Sequence, residues 1–188
     1  MELVMNADWI LTKNIIIEKT KLLFGQLQDA FLESLTSAAV TGYTKVPPKI
    51  SKGENYLGLP YLILDYPRIF DKENIFAIRT MFWWGHFFSI TLHMAGSYKK
   101  MFEEKCVRGY ATFSNNRFFI CINKDQWEHH FESSNYAAAS DLQESEWLRI
   151  IRENSFIKIA NKIPLHHWSD AGGILTHEFK VLTDAILS

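Results

Sequence analysis

The sequence predicts an α+β protein in which a mainly antiparallel sheet of about five strands packs against a long N-terminal helix and a C-terminal helix. Apolar residues repeat with helical spacing near both ends of the chain. The most aromatic stretch, residues 75–96, favours a central hairpin, and the strand-like segments cluster early instead of alternating strictly with helices. Because 188 residues suffice for one substantial core but are few for two, we expect residues 1–188 to form a single globular domain.

The first predicted element is a long amphipathic helix over residues 12–39. Its apolar side chains recur at spacings of four or seven residues, as in Ile16, Leu23, Leu27, Phe31 and Leu35. Such a stripe normally packs on the core, and it could equally dock on a second subunit. The next segment, residues 41–58, is rich in lysine, proline and glycine, which predicts a solvated loop.

Residues 75–96, IFAIRTMFWWGHFFSITLHMAG, are long enough to cross a membrane but have the wrong content for it. Arg79, His86 and His93 all lie inside the stretch. A central arginine alone costs about 2.5–3.5 kcal/mol on insertion scales. We therefore expect two strands and no membrane partner.

The hairpin prediction rests on residue types and on one glycine. Phe, Trp, Ile and Thr favour strands, and Gly85 lies where a tight turn would form. A two-residue loop of Trp84 and Gly85 predicts three cross-strand pairs: Trp83 with His86, Met81 with Phe88, and Arg79 with Ile90. Because both faces of this hairpin are largely apolar, we expect both to be covered.

The other predicted elements follow from apolar patterns and their flanking signals. Residues 59–70 form a strand that completes a three-stranded meander with the hairpin, and residues 125–140 form a short helix from Asp125 followed by a loop. The remaining strands cover residues 118–123 and 156–168. The remaining helices cover residues 97–105, residues 140–154 with Ser140 or Asp141 as the cap, and the C-terminal segment from Ser169 or Asp170.

Arg79 is the most informative residue of the hairpin. On the predicted register its neighbours are apolar, so its guanidinium needs a carboxylate, a phosphate or several carbonyls. One alternative is an internal partner such as Asp65 or Glu73, or escape at a sheet edge. The other is an anion-binding arginine at the floor of an aromatic pocket, whose candidate ligand-binding residues are Arg79, Trp83, Trp84 and His86.

Charge and cysteine content exclude several classes of function. Twenty basic and twenty-one acidic residues leave a net charge of −1, without a concentrated basic patch, so we expect no nucleic-acid partner. Cys106 and Cys121 have no CxxC partner, and the glutamates before Cys106 disfavour a reactive thiolate. The N-terminus lacks the pattern of a signal peptide, so we expect a cytoplasmic protein with reduced thiols.

Seven histidines are the remaining candidates for chemistry. His166, His167 and His177 lie near Asp170, but no established metal-binding spacing supports a metal site there. His86 and His93 are seven residues apart, so a regular strand places them on opposite faces. We therefore predict no metal site, no cofactor and no identifiable catalytic residue.

Three hypotheses about function follow. The first is binding of a small molecule or anion in an aromatic pocket near the hairpin. The second is a homodimeric interaction protein that associates through the long N-terminal helix. The third is a histidine-dependent, possibly metal-dependent, hydrolase that uses the C-terminal histidines.

Overall fold

A computed structural model describes residues 2–35 and 42–187 of the chain. Five α-helices are present in these ranges: α1 (Ala7–Ser34), α2 (Ser97–Arg108), α3 (Tyr110–Asn115), α4 (Glu144–Glu153) and α5 (Ala171–Leu187). The strands are β1 (Lys49–Tyr56), β2 (Leu59–Phe70), β3 (Ile75–Trp83), β4 (Phe87–Ala95), β5 (Phe119–Cys121), β6 (Tyr136–Ala138) and β7 (Phe156–Pro164). The predicted end of the first helix, residues 36–39, lies outside the described ranges.

All these strands join one antiparallel sheet in the order β1-β2-β3-β4-β7-β5-β6. The predicted α+β class is confirmed, with a long N-terminal helix and a C-terminal helix. The predicted count of about five strands was too low, because β1 and the short β6 were missed. The hairpin of β3 and β4 occupies the centre of the sheet, as predicted.

Strand β1 lies inside the segment that we predicted as a solvated loop. Its sequence, KISKGENY, is polar because β1 is an edge strand and much of it is exposed to solvent. A tight two-residue turn, Leu57 and Gly58, joins it to β2, with φ values of 49° and 85°. The loop prediction was wrong for residues 49–56. Their polar composition correctly indicates exposure to solvent, but it does not show whether the backbone is extended and paired, as it is with β2.

The predicted register of the central hairpin was wrong by one residue. Trp83 pairs with Phe87, Met81 with Ser89 and Arg79 with Thr91. Three residues, 84–86, therefore lie between the paired Trp83 and Phe87. Within this turn the His86 N–H donates to the Trp83 carbonyl at 3.1 Å, and Gly85 adopts a φ of 71°. That φ suits the third position of a type II turn, where glycine is favoured. The shift exchanges the faces of β4, so polar residues replace apolar ones beside Arg79.

The two faces of the sheet are covered differently. One face packs against the helices and forms the main core, which includes Phe24 and Phe31 of α1 and Phe179 of α5. The other face carries two smaller apolar clusters and is covered by residues 122–135, which connect β5 to β6. We call this segment the covering loop.

A short helix was predicted from Asp125, and this prediction was wrong. The Asp125 carboxylate accepts a hydrogen bond from the Trp127 N–H at 2.8 Å, which closes a turn instead of capping a helix. The chain continues without regular structure until β6 begins at Tyr136. The loop conformation matters because it places polar groups over the centre of the sheet.

None of the helices in the described ranges combines the length and the apolarity needed to cross a lipid bilayer.

Candidate functional site

Arg79 forms an ion pair with Asp65 on the sheet face beneath the covering loop. The two residues are directly opposite on β3 and β2. Arg79 Nε lies 2.8 Å from Asp65 Oδ1, and Nη2 lies 3.0 Å from Oδ2. Arg79 Nη1 also lies 3.5 Å from Nε2 of His129 on the loop. The internal partner considered from the sequence is therefore present, and it satisfies the guanidinium without a ligand.

The covering loop is held to the sheet by two polar side chains, the half-buried Tyr56 and the buried Lys158. The Tyr56 hydroxyl donates to the Glu128 carboxylate at 2.8 Å and accepts from the backbone N–H groups of His129 and His130 at 2.7 and 3.0 Å. Lys158 of β7 is almost fully buried, and its ammonium donates to the Glu128 carbonyl. The loop is thus fixed at its middle from two different strands.

Burial determines the protonation states beneath the loop. It lowers the pKa of His93 to about 3 and that of Lys158 to about 8. It also moves the pKa of His129 well below its ordinary value, and the positive charges of Lys158 and Arg79 add to this shift. His93 Nε2 is hydrogen-bonded to Gln126 Oε1 at 3.0 Å. Both histidines are therefore neutral at neutral pH.

An open cavity of about 560 Å³ lies between the tip of the central hairpin and the covering loop. We call it the hairpin cavity. Aromatic and charged side chains line it: Trp83, His86 and Phe87 from the hairpin, Leu57 from the turn after β1, Glu128, His130, Phe131 and Glu132 from the loop, and Lys162 from β7. The rings of Trp83 and His86 are stacked, with centroids 3.6 Å apart and planes 9° from parallel. Trp83 is only 4 % exposed, so the ring surface that faces the cavity comes mainly from the exposed His86 stacked on it and from the half-buried Phe87 and Phe131. This ring surface lies beside groups of both charges.

The structure separates the four residues predicted to bind a ligand. Trp83 and His86 line the hairpin cavity together. Trp84 follows Trp83 in sequence but lines a different groove of about 520 Å³, beside Trp9 of α1. Arg79 does not line the hairpin cavity, because its guanidinium is held by Asp65 beneath the loop.

Several residues of the hairpin cavity were not predicted from the sequence. Phe131 and His130 belong to a segment without periodicity, so no pattern indicated where their side chains would lie. Lys162 follows Lys158 by four residues on the same face of β7. That spacing was visible in the sequence, but the pairing of β7 with β4, which brings Lys162 towards the hairpin, was not.

The other chemical candidates are distributed differently. His166 and His167 are exposed neighbours with ring centroids 4.2 Å apart. Within residues 2–35 and 42–187, no group of three or more histidine, cysteine or acidic side chains is arranged to hold a metal ion. Burial raises the pKa of the Cys106 thiol to about 12, with a further contribution from Glu103, so a thiolate is disfavoured there.

The sequence matches no protein-family profile, and comparisons with characterised proteins and with solved structures found no match.

Proposed function

We propose that this protein binds a small organic molecule with a flat apolar part in the hairpin cavity. The observation that carries the proposal is the stacked pair of Trp83 and His86 on the wall of a cavity of about 560 Å³. This volume is in the range of small-molecule sites, roughly 300–1,000 Å³. The proposal does not use Arg79 as an anion-binding residue, because Asp65 neutralises its charge.

The surroundings of the stack support this proposal. Phe87 and Phe131 meet edge to face, with ring centroids 5.2 Å apart, and both line the cavity. The Phe131 ring also stacks on Tyr136 at 4.6 Å, which fixes its position from below. Rigid rings give a ligand apolar contact at a low cost in conformational entropy, whereas flexible side chains would have to be ordered on binding.

Binding can be tested with 1-naphthylmethanol, a neutral aromatic probe, by recording indole N–H signals in two-dimensional NMR spectra. Trp83 and Trp84 line different cavities, so they provide an internal control. We expect the Trp83 signal to shift on titration and the Trp84 signal to stay constant. His86→Ala should weaken binding about threefold to tenfold, because one side of the stack is removed.

The matched control is His177→Ala, since His177 is exposed and does not line the cavity. This variant should bind the probe like the unmodified protein. If the probe shifts Trp84 instead of Trp83, or if His86→Ala and His177→Ala bind equally well, the hairpin cavity is not the binding site.

Association of two copies through α1 is a second candidate function. The N-terminal half of this helix exposes large apolar side chains, including Leu11, Ile15 and Leu22, which are 57, 55 and 66 % exposed. These three residues recur at spacings of four and seven, so they lie along one side of the helix. An apolar stripe of this kind is typical of contact with another helix.

Sedimentation over a range of protein concentrations tests this second candidate. We expect a concentration-dependent dimer, and Ile15→Lys should shift it towards monomer because it places a charge in the stripe. Lys21→Glu, which changes a charge at a neighbouring exposed position, serves as a control. A monomer at all concentrations would exclude association through this surface.

A further inference from the structure

A second open cavity, of about 640 Å³, lies next to the hairpin cavity and shares Lys162 with it. We call it the Arg117 cavity. It lies between the turn after α3 and the end of β7, and Arg117, Ser114, Ser140 and Asn161 contribute polar groups to its wall. Of the residues that line it in the described part of the chain, two are cations and none is a carboxylate.

Lys162 lies at the boundary between the two cavities. Its ammonium is 5.6 Å from the centre of the Phe119 ring, which lines the Arg117 cavity, and 5.4 Å from that of Phe131, which lines the hairpin cavity. These two rings pack edge to face at 5.2 Å. The rings hold the cation in place, while no carboxylate in residues 2–35 or 42–187 forms an ion pair with it.

Arg117 occupies a backbone conformation that arginine rarely adopts. Its φ is 59°, in the left-handed region, although Asn115 and Asn116 directly before it are residues that tolerate this region better. Its side chain is exposed and has no carboxylate partner within the described ranges. The left-handed conformation belongs to the end of α3, where the Arg117 N–H donates to the Ser114 carbonyl at 3.1 Å and the Phe118 N–H donates to the Phe113 carbonyl at 2.9 Å, as in a Schellman motif. Glycine or asparagine would suit this position better, so the motif accounts for the turn but not for the positive charge on it.

The carboxylates of the site lie on the opposite side of Lys162. Glu128 and Glu132 line the hairpin cavity, and the Glu128 carboxylate accepts a hydrogen bond from Tyr56. An anionic group on a ligand would be repelled at that end and attracted at the end where Lys162 and Arg117 face open space. The charges thus favour one orientation of an anionic ligand, with its anion towards Lys162 and Arg117 and away from Glu128 and Glu132.

We infer that the ligand is an aromatic or planar molecule carrying an anionic group, whose rings lie against Trp83 and His86 and whose anion lies between Lys162 and Arg117. This inference rests on the proposed function, because it assigns the ligand class for the same site. The anionic group can be a carboxylate or a phosphate, because Lys162 and Arg117 can donate charge-assisted hydrogen bonds to the oxygens of either.

A set of naphthalene probes separates the possibilities in ligand-detected NMR titrations. The probes are 1-naphthyl phosphate, 1-naphthoate, neutral 1-naphthylmethanol and cationic 1-naphthylmethylamine. We expect the two anions to bind about tenfold more tightly than the neutral probe, and the amine to bind most weakly. The ratio between phosphate and carboxylate then identifies which anion the site prefers.

Two variants test the cations. Lys162→Met keeps the aliphatic stem against the Phe rings but removes the charge, and Arg117→Asn keeps a residue that tolerates the left-handed turn. Each should weaken 1-naphthyl phosphate binding about threefold to tenfold, and this loss should exceed any change in the binding of neutral 1-naphthylmethanol. Lys124→Met, at an exposed lysine outside both cavities, should change neither.

The outcomes distinguish this inference from the proposed function. If the neutral probe binds as tightly as the anions, or if the amine binds best, the anion site is refuted while the hairpin cavity remains a binding site. If binding of 1-naphthyl phosphate is unaffected by both Lys162→Met and Arg117→Asn, the inference also fails. If no probe shifts Trp83, both proposals fail together.

Discussion

Arg79 and Asp65 face each other across β3 and β2, and the guanidinium holds both carboxylate oxygens, at 2.8 and 3.0 Å. The side chains are only 19 and 11 % exposed. An arginine in this environment needs a fixed counter-charge, because removal of a charge from water is costly. The Arg79–Asp65 pair therefore neutralises both charges within the sheet beneath the covering loop.

Asp65→Asn should destabilise the protein by about 2–4 kcal/mol. The variant leaves the Arg79 charge partly buried without its counter-charge, and the loss is somewhat below that of a fully buried pair. Urea unfolding at neutral pH measures the change. The double variant Asp65→Leu with Arg79→Met should recover most of the loss, because an apolar pair has no charge to desolvate. If the single variant changes the free energy of unfolding by less than about 0.5 kcal/mol, the pair is not structural.

The position of Arg79 shows how far sequence reasoning reaches. Residue types predicted the hairpin and its central place, because Phe, Trp and Ile favour strands wherever they are buried. The register could not be read, since Gly85 suits a turn of either two or three residues. A slip of one residue exchanged Ile90 for Thr91 opposite Arg79, and that exchange decides whether the arginine lies among apolar or polar neighbours.

The candidate cavities were harder to predict than the sheet. Trp83 and His86 line one cavity together, and their closeness in sequence on either side of Gly85 made that proximity predictable. Whether they bind a ligand remains a prediction. Lys162 and Phe131 come from β7 and the covering loop, and only long-range strand pairing brings them to the hairpin. Contacts between distant parts of the chain leave no periodic signal in a sequence. The positions of Lys162 and Phe131 beside the hairpin could therefore be seen only in the structure.

Stability should fall in acid because of His93. Its pKa is about 3 in the folded protein and 6.5 for the unperturbed side chain, so the unfolded state binds the proton first as the pH falls. Burial causes the shift, Lys158 and Arg79 strengthen it, and the hydrogen bond to Gln126 partly opposes it. His93 makes its full contribution to the free energy of unfolding above pH 6.5. Between pH 6.5 and 3 this contribution falls by up to about 1.4 kcal/mol per pH unit.

His93→Gln provides the comparison for this prediction, because glutamine is polar but does not titrate. Unfolding by urea at pH 7, 6 and 5 should show the unmodified protein losing stability faster than the variant. Some dependence on pH should remain in the variant, since the pKa of His129 is also lowered by burial. Parallel stability curves for the two proteins would contradict a buried neutral His93.

Tyr56→Phe should loosen the covering loop. The Tyr56 hydroxyl bonds to the Glu128 carboxylate and to the N–H groups of His129 and His130, and all three contacts are lost together. We expect the free energy of unfolding to fall by about 1–3 kcal/mol, because the partners lose their hydrogen bonds in a partly buried place. Amide hydrogen exchange at His129 and His130 should accelerate.

Tyr61→Phe is the matched control for this loop variant. The Tyr61 ring lies 6.4 Å from that of Tyr56, but the hydrogen bonds to Glu128, His129 and His130 are made by the Tyr56 hydroxyl and not by that of Tyr61. Exchange in the covering loop should therefore be unchanged in Tyr61→Phe. Equal acceleration in both variants would mean that ring packing, and not the Tyr56 hydroxyl, holds the loop.

Arg117→Asn should stabilise the fold while it weakens anion binding. At a φ of 59° a side chain other than glycine, asparagine or aspartate costs roughly 1–2 kcal/mol, and asparagine avoids part of this cost. We expect the free energy of unfolding to rise by about 0.5–1 kcal/mol in urea titrations. Arg117→Ala removes the same charge but keeps the strain, so its stability should stay near that of the unmodified protein. If alanine stabilises the protein as much as asparagine does, charge and not backbone strain governs this position.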